Sequence, residues 1–290
     1  MAEEAALPAG PQLAASPRLA TLPAFARALV LPVEYPLRLL LVGPVAAALS
    51  AMSTSQAIYG MPLFGVTAHP DHFWAIGLLA IPFLAFWGCA WQRCVGQRAD
   101  EPIWPWLVRS FRRSPDYAVA AVAALLGPTL VWMLTFTMAY LIIAGGNLTA
   151  LTNGWWFWIG SLVLALPGIW LFARLCFLPA IVATQGWRGA AERTWQLGRG
   201  RDFGLVLGFA CFVVIGFFLF GATSFIFFRV IMAVVELTED LQIYVATIKY
   251  AYLIGQTVAA TLLGAWILGF PALIARQLAS PTEIDPTAFD

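Results

Sequence analysis

The chain alternates long apolar runs with short polar or charged connections. Six runs are long enough to cross a bilayer as helix, which takes about 20 residues. They lie near residues 39–57, 73–92, 118–144, 155–181, 203–228 and 250–275. Five contain no Asp, Glu, Lys, Arg or His, and the fourth contains only Arg174. A membrane barrel would instead show weakly alternating segments of about 10 residues. The pattern predicts an all-α polytopic membrane helix bundle, because backbone groups in lipid must find partners inside their own helix. The stretch "TLPAFARALVLPVEYPLR" (21–38) is too short and too rich in proline to span by itself. It is expected to run along the membrane interface before the first span. Residues 1–20, with Ala, Pro and acid, read as a disordered tail, 21–276 as the membrane domain, and 277–290 as a second tail.

Two connections break the apolar pattern with charge. One contains "VRSFRRSPDY" (108–117) and the other "ERTWQLGRGRDF" (192–203). Arg109-Ser110-Phe111 aligns with Arg193-Thr194-Trp195, and Asp116-Tyr117 with Asp202-Phe203 after a two-residue insertion. This is a weak internal repeat, or convergence on the basic-aromatic composition of membrane interfaces. Wound as a helix, 187–198 puts Trp187, Ala190, Ala191, Thr194, Trp195, Leu197 and Gly198 on one arc. Arg188, Glu192, Arg193 and Gln196 take the other, as in a helix lying in the interface. "GRGRD" (198–202) is then expected to turn the chain into the fifth span. The candidate headgroup- or partner-binding residues are therefore Arg109, Arg112, Arg113, Arg193, Trp195, Arg199 and Arg201. Guanidinium forks match phosphate oxygens, and Trp suits headgroup depth. Arg174 is expected to snorkel toward the same side.

Composition agrees with the pattern: 61% of residues are hydrophobic, 11% are charged, and the mean hydropathy is +0.82. A net charge of +1 gives no global field for nucleic acid. The distribution of charge says more. With six spans and the N-terminus inside, fourteen of the 16 Lys and Arg residues fall on the inner side. Only Arg229 and Lys249 fall on the other. The positive-inside rule then places both termini in the cytoplasm. The outer segment 236–249 is acidic, and Leu237, Leu241, Tyr244 and Ile248 recur there at helical spacing, so a helix is expected to extend beyond the outer face.

Little in the sequence points to catalysis. No P-loop, GxSxG, HExxH or GxGxxG motif occurs. The two histidines lie in "AHPDHF" (68–73), where His69, Asp71 and His72 offer at most a partial metal site. A short polar loop leading into the second span explains them. No metal or cofactor is expected. Prolines 44, 82, 128, 167 and 271 sit inside five of the spans. They suit a transporter with broken helices, or simply reflect the frequency of proline in membrane helices. A membrane enzyme acting on lipid would have to draw on Glu34, Asp116, Glu192 or Asp202. The four cysteines form no CxxC pair.

The stretch "ARLCFLPAIVATQGWRGAAERTWQLGRGRDF" (173–203) resembles the signature of a bacterial multi-span membrane-domain family. That domain is found alone or fused to glycerophosphodiester phosphodiesterases. The resemblance rests on Arg174, Leu175, Pro179, Ala180, Ile181, Val182, Ala191, Arg193, Thr194, Trp195, Leu197 and Gly200. Ala183-Thr184-Gln185 stand where the family often has an acidic residue. The resemblance implies a six-helix protein of the bacterial inner membrane, with no established catalytic residues and without the phosphodiesterase half. The expectation is a non-enzymatic scaffold, accessory subunit of a membrane complex or lipid-interacting module. Its partners would be membrane lipids, anionic ones among them, or another membrane protein. The alternatives are a transporter or channel, and a lipid-directed enzyme.

Overall fold

The computed structural model describes residues 21–59, 70–96, 101–143, 155–235 and 241–279. The elements are α1 (Thr21–Glu34), α2 (Pro36–Tyr59), α3 (Pro70–Gly96), α4 (Ile103–Ile143), α5 (Trp155–Leu175), α6 (Leu178–Gln185), α7 (Ala190–Gly198), α8 (Asp202–Val235) and α9 (Leu241–Ala279). No strand occurs among the described residues. Six segments are long and apolar enough to cross a membrane, in agreement with the six apolar runs. Residues 1–20 and 280–290, the outer turn 145–154, His69 and the side chains of Asp71 and His72 lie outside the described residues, while 277–279, read as the start of the second tail, continue α9.

The spans pack in chain order and close on themselves: α2 meets α3, α3 meets α4, α4 meets α5, α5 meets α8, α8 meets α9, and α9 returns to α2. Helix α3 also touches α9 and α6, which places it near the middle of the bundle. Trp91 of α3 is fully buried, and its Nε1 donates to the Ala265 carbonyl of α9 at 2.8 Å. Helix α4 crosses α3 obliquely. Trp106 donates to the Ala90 carbonyl at 3.0 Å, and Tyr117, eleven residues on, packs against Gly88. Gly88 has no side chain to obstruct that ring, so the crossing depends on it.

Helix α1 buries Ala24, Ala28 and Leu31, one stripe at helical spacing, against α8 and α9. Its Phe25 ring stands 4.6 Å from Phe212, and Trp266 Nε1 donates to the Leu29 carbonyl at 3.2 Å. Leu22 and Val33 are largely exposed. The helix thus has a packed side and an apolar outer side, as an element at the membrane boundary requires. Pro36, which has no N–H to lose, opens the first turn of α2.

The fourth span differs from the sequence expectation. The run 155–181 is not one helix: α5 ends at Leu175, Cys176 and Phe177 form a turn, and α6 runs from Leu178 to Gln185. Pro179 explains the break, because it has no N–H to donate to the Leu175 carbonyl. The interfacial helix is also shorter than 187–198. Gly186 and Gly189 adopt positive φ (86° and 69°), so the chain turns through 186–189 and α7 begins at Ala190. The connection before the third span is helical rather than a loop, since α4 is continuous from Ile103. Helix α9 begins at Leu241, so the outer segment is helical from there on, as its spacing predicts.

The outer wall is hydrocarbon. Leu40, Leu41 and Val45 of α2 stand exposed, as do Leu78 and Ile81 of α3, Leu125 and Leu134 of α4, and Phe217, Phe218 and Phe225 of α8. Contiguous apolar surface on this scale has no stable place in water. Together with the six spans it makes the chain a polytopic integral membrane protein.

Candidate anion-binding site

Arginines from separate segments converge on one end of the bundle. They do so because the helices alternate in direction and their basic termini fall at the same end. Arg276, near the end of α9, donates to the Val95 carbonyl at the end of α3 at 3.3 Å. Arg93 of α3 and Arg113 of α4 both reach the end of α6. The Ala183 carbonyl accepts from Arg93 at 3.2 Å and from Arg113 at 3.1 Å, and the Thr184 carbonyl accepts from Arg113 at 2.8 Å. The last carbonyls of a helix lack intrahelical partners and carry its negative dipole end, so guanidinium groups belong there. Arg38 of α2 donates to the Glu101 carbonyl and lies 5.1 Å over the Trp106 ring.

Within this layer Arg93, Arg109, Arg112 and Arg113 wall an open cleft of about 390 Å³. Its one bound countercharge is Glu101, whose carboxylate lies 2.8 Å from Arg109 and 3.5 Å from Arg93. Two of the four cations, Arg93 and Arg109, pair with this carboxylate. The Arg93 side chain is only 3% exposed, and its Nε has no hydrogen-bond partner among the described residues. Arg112 is exposed and forms no hydrogen bond or ion pair among them. Asp116 faces the same side of α4 one turn on, but it accepts from Trp187 Nε1 at 3.2 Å.

The second basic segment is arranged differently. Arg174 does not snorkel free. Its Nη2 donates to Asp202 Oδ2 at 2.7 Å, and its Nε lies 2.7 Å from Oδ1 as an ion-pair contact. Its guanidinium also sits 5.2 Å from the Trp170 ring and 5.3 Å from the Trp195 ring. Those two rings meet edge to face at 5.8 Å. Trp195 is thus a packing partner of Arg174. Arg193 donates to Gln185 Oε1, and Arg201 Nη1 donates to the Leu197 carbonyl at 2.9 Å, closing the end of α7. Burial lowers the pKa of Arg201. Arg199 is exposed and forms no side-chain hydrogen bond or ion pair among the described residues. Gly198 packs against Arg174, where an added Cβ would lie 3.0 Å from its Cδ. Of the residues that carry the family resemblance, Arg174 and Trp195 thus join α5 to α7, and Arg174 joins α5 to α8 through Asp202.

Of the seven residues singled out by sequence, the structure gathers Arg109, Arg112 and Arg113 into one cleft. It disperses Arg193, Trp195, Arg199 and Arg201 over α7 and its end. Sequence reasoning missed Arg93 and Glu101 as site residues. Arg93 follows the apolar run 73–92 directly and looked like a topology charge; Glu101 marks the turn before α4. The paired hydroxyl positions of the weak repeat, Ser110 and Thr194, are both fully buried, while the arginines before them are exposed. Tyr117 is buried and its counterpart Phe203 is exposed, which breaks the correspondence. The carboxylates nominated for a lipid enzyme are mostly engaged: Asp202 by Arg174, Asp116 by Trp187, and Glu192 by Gln196 at 3.1 Å. Glu34 is exposed at the end of α1. Searches against family models, curated proteins and solved structures return no match to this chain.

Proposed function

We propose that this integral membrane protein is a non-enzymatic scaffold, accessory subunit or lipid-interacting module. Its arginine-rich end would face the cytoplasm, with both termini there, in a bacterial inner membrane. The observation that carries the reading is the layer of arginines at one end. It ties helix ends together and still leaves cationic groups facing out, as a surface apposed to anionic headgroups requires. Gly168 of α5 packs directly on the Pro128 carbonyl oxygen, a close contact between helix backbones.

The orientation is tested with a cysteine at Arg188, an exposed position in the turn before α7. Ser110, in the other basic segment, is fully buried and unsuitable. Impermeant maleimide should label Arg188→Cys in inverted vesicles and not in intact cells. Labelling from outside intact cells would overturn the orientation. Gentle purification should retain anionic lipid or a membrane partner. Recovery of the stable protein with neither would count against the module reading.

A further inference from the structure

We infer that the cleft formed by Arg93, Arg109, Arg112 and Arg113 is a discrete site for the phosphate group of an anionic membrane lipid. The inference deepens the functional reading above and rests on it, since the arginine-rich end must lie at headgroup level.

The first argument is charge. Four guanidinium groups line one cleft; Glu101 pairs with two of them, Arg93 and Arg109, and Asp116 on the same side of α4 is the other carboxylate nearby, so positive charge is in excess. Like charges held this close repel, and an anion that entered would relieve the repulsion and accept several charge-assisted hydrogen bonds. The second is unfilled donor capacity. Arg93 is buried, bonded through Nη1 to Ala183 and close through Nη2 to Glu101, with its Nε unpartnered among the described residues. Arg113 uses only Nη1 for its two carbonyl bonds, and Arg112 uses none of its five N–H groups there. A buried donor without a partner is costly, which makes it informative.

The third argument is preorganisation. Arg93 and Arg113 are held from behind by the carbonyl end of α6, and Arg109 pairs with Glu101 at 2.8 Å. Arg93 and Arg113 therefore lose little side-chain entropy when a ligand binds, while the exposed Arg109 and Arg112 are ordered by it. The fourth identifies the source of the phosphate. Arg109, Arg112 and Arg113, spaced i, i+3, i+4, share one face of α4. Trp104 and Phe111, seven apart, lie together on a different face of α4, and both are highly exposed. Phe111 packs edge-on to Phe86 of α3 at 6.1 Å, which extends the apolar strip along the bundle wall. A headgroup in the cleft could lay its acyl chains on that strip, and a free phosphate would leave the strip unused.

The test uses the full chain in nanodiscs of phosphatidylcholine containing a minor fraction of phosphatidic acid. Retained lipid is read by native mass spectrometry after release into mild detergent. Arg109→Gln with Arg112→Gln removes two exposed cleft charges. Arg188→Gln with Arg199→Gln removes the same charge from exposed positions outside the cleft. The cleft pair should lose about tenfold in phosphatidic acid retention, and the control pair less than about twofold. Equal losses would overturn the discrete site while leaving a diffuse basic surface intact. No loss in either pair would overturn both readings. Retention of inorganic phosphate without lipid would overturn the lipid assignment. Thermal unfolding of each variant in phosphatidylcholine alone should match the parent, because both pairs alter exposed side chains.

Discussion

The Arg174–Asp202 pair joins the end of α5 to the start of α8, and its energetics can be isolated. The side chains are 11% and 25% exposed, and both contacts are 2.7 Å. Removing one partner of a fully buried pair costs about 3–5 kcal/mol because a charge is stranded. Partial exposure reduces this to about 2 kcal/mol for Asp202→Asn. Arg174→Met also loses two ring contacts, each worth about 0.5–1 kcal/mol, so its cost should be about 3 kcal/mol. In the double variant no charge is stranded, and the cost should stay near about 3 kcal/mol. The expected coupling is then about 2 kcal/mol. It is measured from reversible unfolding in mixed micelles titrated with denaturing detergent. The exposed Glu192–Gln196 pair, at 3.1 Å, serves as control with coupling below about 0.3 kcal/mol. Additive single effects at Arg174 and Asp202 would refute the argument, since they would mean the two residues act independently of their geometry.

Other consequences follow from close packing. Gly168→Val should destabilise by about 1–3 kcal/mol, because its Cβ would lie 2.8 Å from the Pro128 carbonyl oxygen, a backbone atom that cannot swing away. Gly221→Val, with nothing within 4 Å, should be tolerated; equal thermal midpoints for the two would contradict the packing. Trp91→Phe should cost about 2 kcal/mol through its lost bond to Ala265 and the space left at the α3–α9 contact. Trp104→Phe, on the exposed strip, should leave unfolding unchanged. A small uncharged thiol reagent should modify Cys211 before Cys89, Cys94 or Cys176, which are buried; peptide mapping that finds Cys89 first would count against the α3–α4 crossing.

Hydropathy made the six spans legible because each is a long block with almost no charge, and lipid tolerates few exceptions to that pattern. Boundaries were less legible where local backbone chemistry decides. Pro179 splits the fourth run without altering its hydropathy, and Gly186 with Gly189 shortens the interfacial helix without altering its two-faced pattern. Arg174 looked like a snorkelling cation because its partner Asp202 lies twenty-eight residues away, across a turn and a helix. The site was half legible. Arg109, Arg112 and Arg113 share one helical face and announce themselves by spacing. Arg93 reaches them only through the oblique crossing of α4 over α3, and that depends on the fit of Tyr117 to Gly88.

Two kinds of arginine therefore coexist at the basic end, and topology accounts for only one. Arg276 caps α3, Arg201 closes α7, and Arg174 is neutralised by Asp202. These are structural cations whose forks are engaged by the protein. Arg93 is different. It is buried as deeply as a core side chain, next to Arg109 and Arg113, with one shared glutamate for compensation. A topology signal works equally well on an exposed side chain, so topology gives no reason to bury this one. Burial near like charges costs free energy, and fold stability alone would favour an apolar residue there. The arrangement makes physical sense if an anion completes it. Arg93→Met therefore separates the two roles: the protein should keep its fold or gain stability in neutral lipid, and lose retained phosphatidic acid. Loss of the fold in neutral lipid would show instead that Arg93 is needed chiefly to hold the end of α6.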